Sequence, residues 1–241
     1  SLRALPKNVR AGRRPALPGF FETGGVALIR QVIFDVGGVL LDFDPGAMVR
    51  AATEDPADMA LLRYEIFSHA DWNRLDRGEE EERVFSSMKT RLPRRLWTAA
   101  DLIRADWHKA LRPKEEMGEL AGELDRMEIP LYILSNAPYR FYDFQDRIPG
   151  WGRMKGVMLS CEEKLLKPDP ALFQRLFDRF DLKPSECFFI DDSPMNVEAA
   201  QWCGMEAFQY RSDMPLLREA LRASGVEVRP EPIPCQRGEI L

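Results

Sequence analysis

Four stretches of this chain carry side chains suited to chemistry, and each comes after a short apolar run. Asp35 follows Val32-Ile33-Phe34, and Ser135-Asn136 follows Leu131-Tyr132-Ile133-Leu134. Lys167-Pro168-Asp169-Pro170 comes after Val157-Met158-Leu159, and Asp191-Asp192 closes Cys187-Phe188-Phe189-Ile190. Carboxylates from two such ends offer the hard oxygen donors that Mg²⁺ prefers. A hydroxyl and backbone N–H groups can hold phosphate oxygens, and a lysine can offset negative charge that develops during transfer. A remaining carboxylate becomes a nucleophile once a cation screens its repulsion from an anionic substrate. Adjacent buried carboxylates are costly without a cation, which argues against a purely structural Asp191-Asp192 pair.

Composition removes the competing chemistries. The two histidines, His69 and His108, are too few for mechanisms built on several imidazoles. The four cysteines, Cys161, Cys187, Cys203 and Cys235, form no CxxC pair, so neither a zinc site nor a disulfide framework is expected. With 34 Lys+Arg against 39 Asp+Glu, the net charge of −5 lacks the cationic excess that a nucleic-acid partner requires. No run approaches the roughly 18 apolar residues of a membrane span, and no secretory pattern opens the chain. The expectation is a soluble, cytoplasmic protein with a small-molecule partner, no nucleic acid and no membrane, as a monomer or homodimer. Ser1 in place of Met points to a trimmed start.

The elements that must position these residues alternate. The four apolar runs, with a weaker fifth over 205–209, are separated by helix-length amphipathic segments. That pattern predicts an α/β fold with a doubly wound parallel sheet, whose ligands bind at the carboxyl ends of the strands. Nearly a hundred residues separate the first two runs, far more than one crossover needs. Helical patterns over 57–67, 79–92 and 95–110, with no convincing strand, predict an inserted α-helical cap; 113–127 supplies the next crossover helix. The predicted organisation of the 241 residues is therefore an N-terminal extension over 1–27, an α/β core over 28–44 and 112–225, a helical cap over 45–111, and a C-terminal tail over 226–241. The extension carries Arg3, Lys7, Arg10, Arg13 and Arg14, and the tail is too proline-rich for helix.

In order, FDVGGV, LSN, KPDP and FFIDDSPMNVEAA resemble the four motifs of the haloacid dehalogenase (HAD) superfamily, over about residues 27–222. The helical insert, with WNRLDRG at 72–78 and the segment 107–113, is similar to the branch that includes bacterial α-glucose-1-phosphate phosphatases. The resemblance implies a HAD-type Rossmann-like core and a Mg²⁺-dependent phosphatase acting on a small phosphorylated metabolite, with a sugar phosphate favoured. It makes Asp35 the nucleophile that forms an aspartyl-phosphate, and Lys167, favoured over Lys164 by its KPDP context, the bridge between Asp35 and phosphate. Gly37, Ser135, Asn136 and Lys167 would bind the substrate. The metal set would be Asp35, the Gly37 backbone carbonyl and Asp192, with Asp191 as a close partner and Asn196 in support.

One residue departs from the family pattern. Most phosphatases of the superfamily place a second Asp two residues after the nucleophile as general acid and base, where this chain has Gly37. General acid catalysis contributes about 10²–10⁴-fold, so its loss predicts a preference for good leaving groups. Asp42 and Asp44 form another Asp-x-Asp, but beyond the Gly-Gly loop. From the cap, Trp72, Arg74, Trp107 and His108 are candidates for substrate contact. Two alternatives follow from the same residues: a 2-haloacid dehalogenase-type hydrolase using Asp35 on carbon, and a catalytically weak ligand-binding protein.

Overall fold

Val32 and Phe34 point into one hydrophobic core and Ile33 into another, so the first strand is covered on both faces. A computed structural model of the protein describes residues 28–230; the extension expected over 1–27 and residues 231–241 of the expected tail lie outside the described residues. The chain begins with β1 (Gln31–Phe34) and a short β2 (Leu41–Asp42). Five helices follow: α1 (Pro45–Arg50), α2 (Pro56–Leu62), α3 (Trp72–Asp76), α4 (Glu81–Thr90) and α5 (Trp97–Asp106). Next come β3 (Arg112–Pro113), α6 (Glu115–Arg126), β4 (Leu131–Ser135), β5 (Met154–Leu159) and α7 (Ser160–Glu163). The remainder is α8 (Pro170–Phe180), β6 (Cys187–Asp191), α9 (Pro194–Trp202), β7 (Glu206–Gln209) and α10 (Met214–Ala223).

The five long strands form one parallel sheet in the order β5-β4-β1-β6-β7. Helices α8 and α9 cover one face through Leu172, Phe173, Leu176 and Ala200. Helices α6 and α10 cover the other through Met117, Leu120, Leu124, Leu217 and Leu221, in a core continuous with the buried side of α2 to α5. The chain runs outward from β1 through β4 to β5, then returns to β6 on the opposite side of β1. The strand order therefore reverses at β1, which opens a crevice at the carboxyl ends of β1 and β6.

The structure adds detail to the expected organisation at three places. The segment 95–110 is not one helix: 3₁₀ turns over Arg94–Leu96 and Trp107–Ala110 flank α5, and non-helical backbone at Asp106 turns Trp107 into the core. The two crossings into the helical insert are clasped together, since β2 pairs antiparallel with β3 and Lys114 Nζ meets Asp42 at 2.7 Å. Residues 226–229 of the expected C-terminal tail are non-helical, as expected, and pack against the core. Val226 and Val228 are buried, and the Arg229 N–H donates to Glu123, whose carboxylate also accepts from Arg218 at 2.7 Å.

Candidate functional site

The register Phe34↔Ile190 carries the chain out of two adjacent strands at the same level. Asp35 continues β1 by donating its backbone N–H to the Ile190 carbonyl at 2.9 Å, so its side chain emerges beside that of Asp191. Strand alternation then separates the acidic pair. Asp191 is fully buried whereas Asp192 is exposed, so the expectation of two buried neighbouring carboxylates is corrected to one of each. Gly38 makes room for Asp192: its φ is +73°, and a Cβ there would overlap the Asp192 carboxylate.

Lys167 joins the strand ends. Its Nζ lies 2.8 Å from Asp35 Oδ1 and 2.7 Å from Asp191 Oδ2, and donates to the Leu134 carbonyl at 2.9 Å. Its side chain is 1% exposed, so this ammonium is held by protein oxygens and not by water. The backbone of Lys167 is fixed reciprocally by Asn136: Lys167 N–H donates to Asn136 Oδ1 at 2.8 Å, and Asn136 Nδ2 donates to the Lys167 carbonyl at 3.0 Å. The Asn136 side chain thus positions the lysine, a role the sequence did not reveal. The Pro-Asp-Pro that follows starts α8, with Asp169 accepting from the Ala171 N–H at 2.9 Å and Pro170 in the first turn. Lys164 stands elsewhere, with its Nζ 3.2 Å from the Gly78 carbonyl and the Tyr139 hydroxyl.

Asp35, Asp191 and Asp192 each offer an oxygen within 4.8 Å of the others. Three carboxylates are a donor set that fits Mg²⁺, a hard cation. Asp191 is the most occupied of the three, since Ser193 N–H donates to Oδ1 at 2.8 Å and Asn196 Nδ2 reaches both oxygens at 3.0 and 3.2 Å. Burial pushes the Asp35 carboxyl up to about 7; Lys167 opposes that shift and Asp191 reinforces it. Asp192 is exposed as a residue, but partial desolvation of its carboxylate raises it as well, with the Asp191 charge adding to the shift. Burial alone would lower the Lys167 ammonium, but the charges of Asp35 and Asp191 outweigh it and hold the group above its ordinary value.

A small cavity of about 60 Å³ opens between this cluster and the helical insert, lined in part by Gly37, Ser135, Asn136, Trp72 and Trp107. Of the four cap residues expected at a substrate, two reach it. Trp72 and Trp107 pack against each other at 5.3 Å and against Phe43 at 5.7 and 6.3 Å. Arg74 is instead tied to Glu79 at 2.8 Å and Asp71 at 3.0 Å, and His108 packs edge-on against Trp107 without lining the cavity. Asp42 is occupied by Lys114, and Asp44 caps α1 by accepting from the Ala47 N–H at 3.1 Å. A larger polar cleft of about 540 Å³ runs past Asp192, with Asp42, Arg112, Lys114, Arg211 and Ser212 on its walls.

Asp76, at the end of α3, was missed by the sequence reading. It is 7% exposed, and its Oδ1 is buried with no hydrogen-bond partner among the described residues. Burial first and the Asp35 charge second push its carboxyl up to about 7. Unfolded Asp76 ionises near 3.8, whereas the folded protein keeps the proton to about 7. The folded state therefore binds more protons across that window, and stability falls as pH rises through it. Asp76→Asn removes the cost, so its unfolding temperature is expected to match the parent near pH 4 and to exceed it at about pH 8. The gain is at most about 4 kcal/mol; a variant less stable at the higher pH would contradict the buried-acid description.

The family model for haloacid dehalogenase-like hydrolases matches residues 29–204. The sesquiterpene phosphatase astK of Aspergillus oryzae is 26% identical over 180 residues, covering 73% of this chain and 87% of that protein. Acyl-CoA dehydrogenase family member 10 of Mus musculus is 40% identical over 218 residues, which are 86% of this chain but 20% of the mouse protein. Among solved structures, the Bacteroides thetaiotaomicron HAD family enzyme bt-2542, in complex with magnesium and inorganic phosphate, superposes with a TM-score of 0.62. It is 20% identical, over 77% of this chain and 96% of that one.

Proposed function

We propose, from the premise that the chain belongs to the haloacid dehalogenase-like hydrolases, that it is a Mg²⁺-dependent phosphatase acting on a small phosphorylated metabolite. The observation that carries this reading is the buried Lys167, bonded to Asp35 and Asp191 beside an exposed third carboxylate, Asp192. A dehalogenation at carbon needs no cation and gains nothing from three converging carboxylates.

In this reading Asp35 is the nucleophile. Its Oδ1 already accepts from the Val36 N–H at 2.7 Å and from Lys167, which leaves Oδ2 to attack phosphorus and form an aspartyl-phosphate. Ser135, the backbone of Asn136 and Gly37 hold the phosphoryl oxygens, and Lys167 offsets their charge in the transition state. Asp35, the Gly37 carbonyl and Asp192 would hold Mg²⁺, with Asp191, steadied by Asn196, as their partner. Bound there, the ion would neutralise phosphoryl charge and favour the ionised form of Asp35. A sugar phosphate is the favoured substrate class, because the cleft beside Asp192 offers both donors and acceptors to hydroxyl groups.

The test is phosphate release across sugar phosphates, nucleotides and acyl phosphates, with Mg²⁺ and after chelation. Turnover with Mg²⁺ that chelation abolishes is expected. Chloride release from 2-haloacids without Mg²⁺ would replace this reading with the dehalogenase one, and tight ligand binding without turnover would replace it with a binding role.

A further inference from the structure

We propose that Asp76, delivered by the cap, is the general acid and then the general base that Gly37 cannot be. The inference rests on the phosphatase reading and adds a catalytic residue to it.

Three observations place the residue. Asp76 and Trp72 are four apart on α3 and so share a helix face; Trp72 lines the cavity that also touches Gly37, Ser135 and Asn136, while Asp76 is buried and not itself part of that lining. The end of α3 is anchored to the loop after β4: Ser160 Oγ donates to the Asp76 carbonyl at 2.6 Å and accepts from the Ala137 N–H at 3.0 Å. The chain then turns at Gly78, with φ +76°, where any Cβ would overlap Lys164 and the Cys161 carbonyl, so only glycine lets the cap come this close to α7. The carboxyl held there has an unpartnered buried oxygen, and the charges of Asp35 and Lys167 act on it. Leaving a buried polar atom unpaired is unfavourable, and a substrate oxygen would supply the missing partner. Burial keeps this acid protonated until about pH 7, the state a proton donor needs.

The proton balance closes over two steps. As Asp35 attacks phosphorus, the bond from phosphorus to the leaving oxygen breaks. Its electron pair stays on that oxygen, which takes the Asp76 proton and departs as the alcohol. Asp76, now a carboxylate, takes a proton from water as the water oxygen attacks the aspartyl-phosphate. The bond to Asp35 breaks with its electrons returning to Asp35, inorganic phosphate leaves, and Asp76 is protonated again.

The test compares an alkyl phosphate, a poor leaving group, with p-nitrophenyl phosphate, a good one. In Asp76→Asn, kcat/KM for the alkyl ester should fall by about 10²–10⁴-fold and that for the aryl ester much less. An initial burst of p-nitrophenol should appear as the aspartyl-phosphate accumulates. Nothing lies within 4 Å of a Cβ built at Gly37, so a side chain can start there without a clash, and Gly37→Asp added to Asp76→Asn should restore alkyl phosphate turnover. An active parent whose alkyl-to-aryl ratio is unchanged by Asp76→Asn, with no burst, overturns this inference alone. A parent inert on every ester overturns the phosphatase reading and this inference with it.

Discussion

Asp35→Asn is expected to abolish phosphate release from p-nitrophenyl phosphate, a loss of at least about 10⁴-fold, while the protein stays folded. The amide nitrogen and oxygen replace two carboxylate oxygens of almost the same shape, so packing around β1 is kept. What is lost is the electron pair that must attack phosphorus. Stability should not suffer, because burial already holds the Asp35 carboxyl up at about 7 and the neutral amide carries no charge to desolvate. Lys167 retains Asp191 at 2.7 Å and the Leu134 carbonyl at 2.9 Å. Retained turnover in a folded variant would remove Asp35 as nucleophile, whatever its position.

Lys167→Met should have a different signature, damaging stability and activity together. The ammonium lies between Asp35 and Asp191, which are 8% and 0% exposed, and a thioether leaves their carboxylates facing each other with no cation between them. Breaking a buried ion pair by removing one partner costs about 3–5 kcal/mol, to be read by denaturant unfolding without metal. Mg²⁺ should recover part of that loss, since a second cation then meets the same oxygens. Activity should remain down by about 10²–10³-fold, because the ion cannot replace the donor that meets the phosphoryl group from the Lys167 side. A variant as stable as the parent without metal would contradict the bridging role.

Much of this arrangement was legible in the sequence because strand ends announce themselves. An apolar run closing in a polar residue fixes both the strand and the end of the sheet at which that residue emerges, and Asp35, Ser135 and Asp191 were found that way, whereas Lys167, beyond α7, stood out by its Lys-Pro-Asp-Pro context. The alternation rule could also have separated Asp191 from Asp192, since Ile190 and Asp192 must face one way and Asp191 the other. Contacts between segments distant in the chain were not legible. Asn136 holds a backbone 31 residues away, and nothing near it in sequence distinguishes that clamp from a helix cap. Asp76 lies in a charged run, Arg74 to Glu82, where an acidic residue ordinarily faces water; its burial accompanies contacts with segments distant in the chain, such as Ser160 at its carbonyl. Its one signal was an acid just before a glycine break in the insert. Arg74 and His108 failed for the converse reason, because neighbouring acids and an aromatic ring engage them before any ligand could.

The net charge of −5 does not conflict with an anionic substrate. Lys167, joined by a cation once one is bound, would set the potential at the pocket, whatever the distant surface carries.

The central claim is that phosphorus passes through Asp35, and acid quenching during a single turnover tests it most directly. The parent protein, mixed with Mg²⁺ and a phosphate-labelled ester and quenched within the first turnover, is expected to carry label on the peptide containing Asp35, bound as an acyl phosphate that hydroxylamine releases. A folded, active protein that releases phosphate without ever carrying that label would contradict the account.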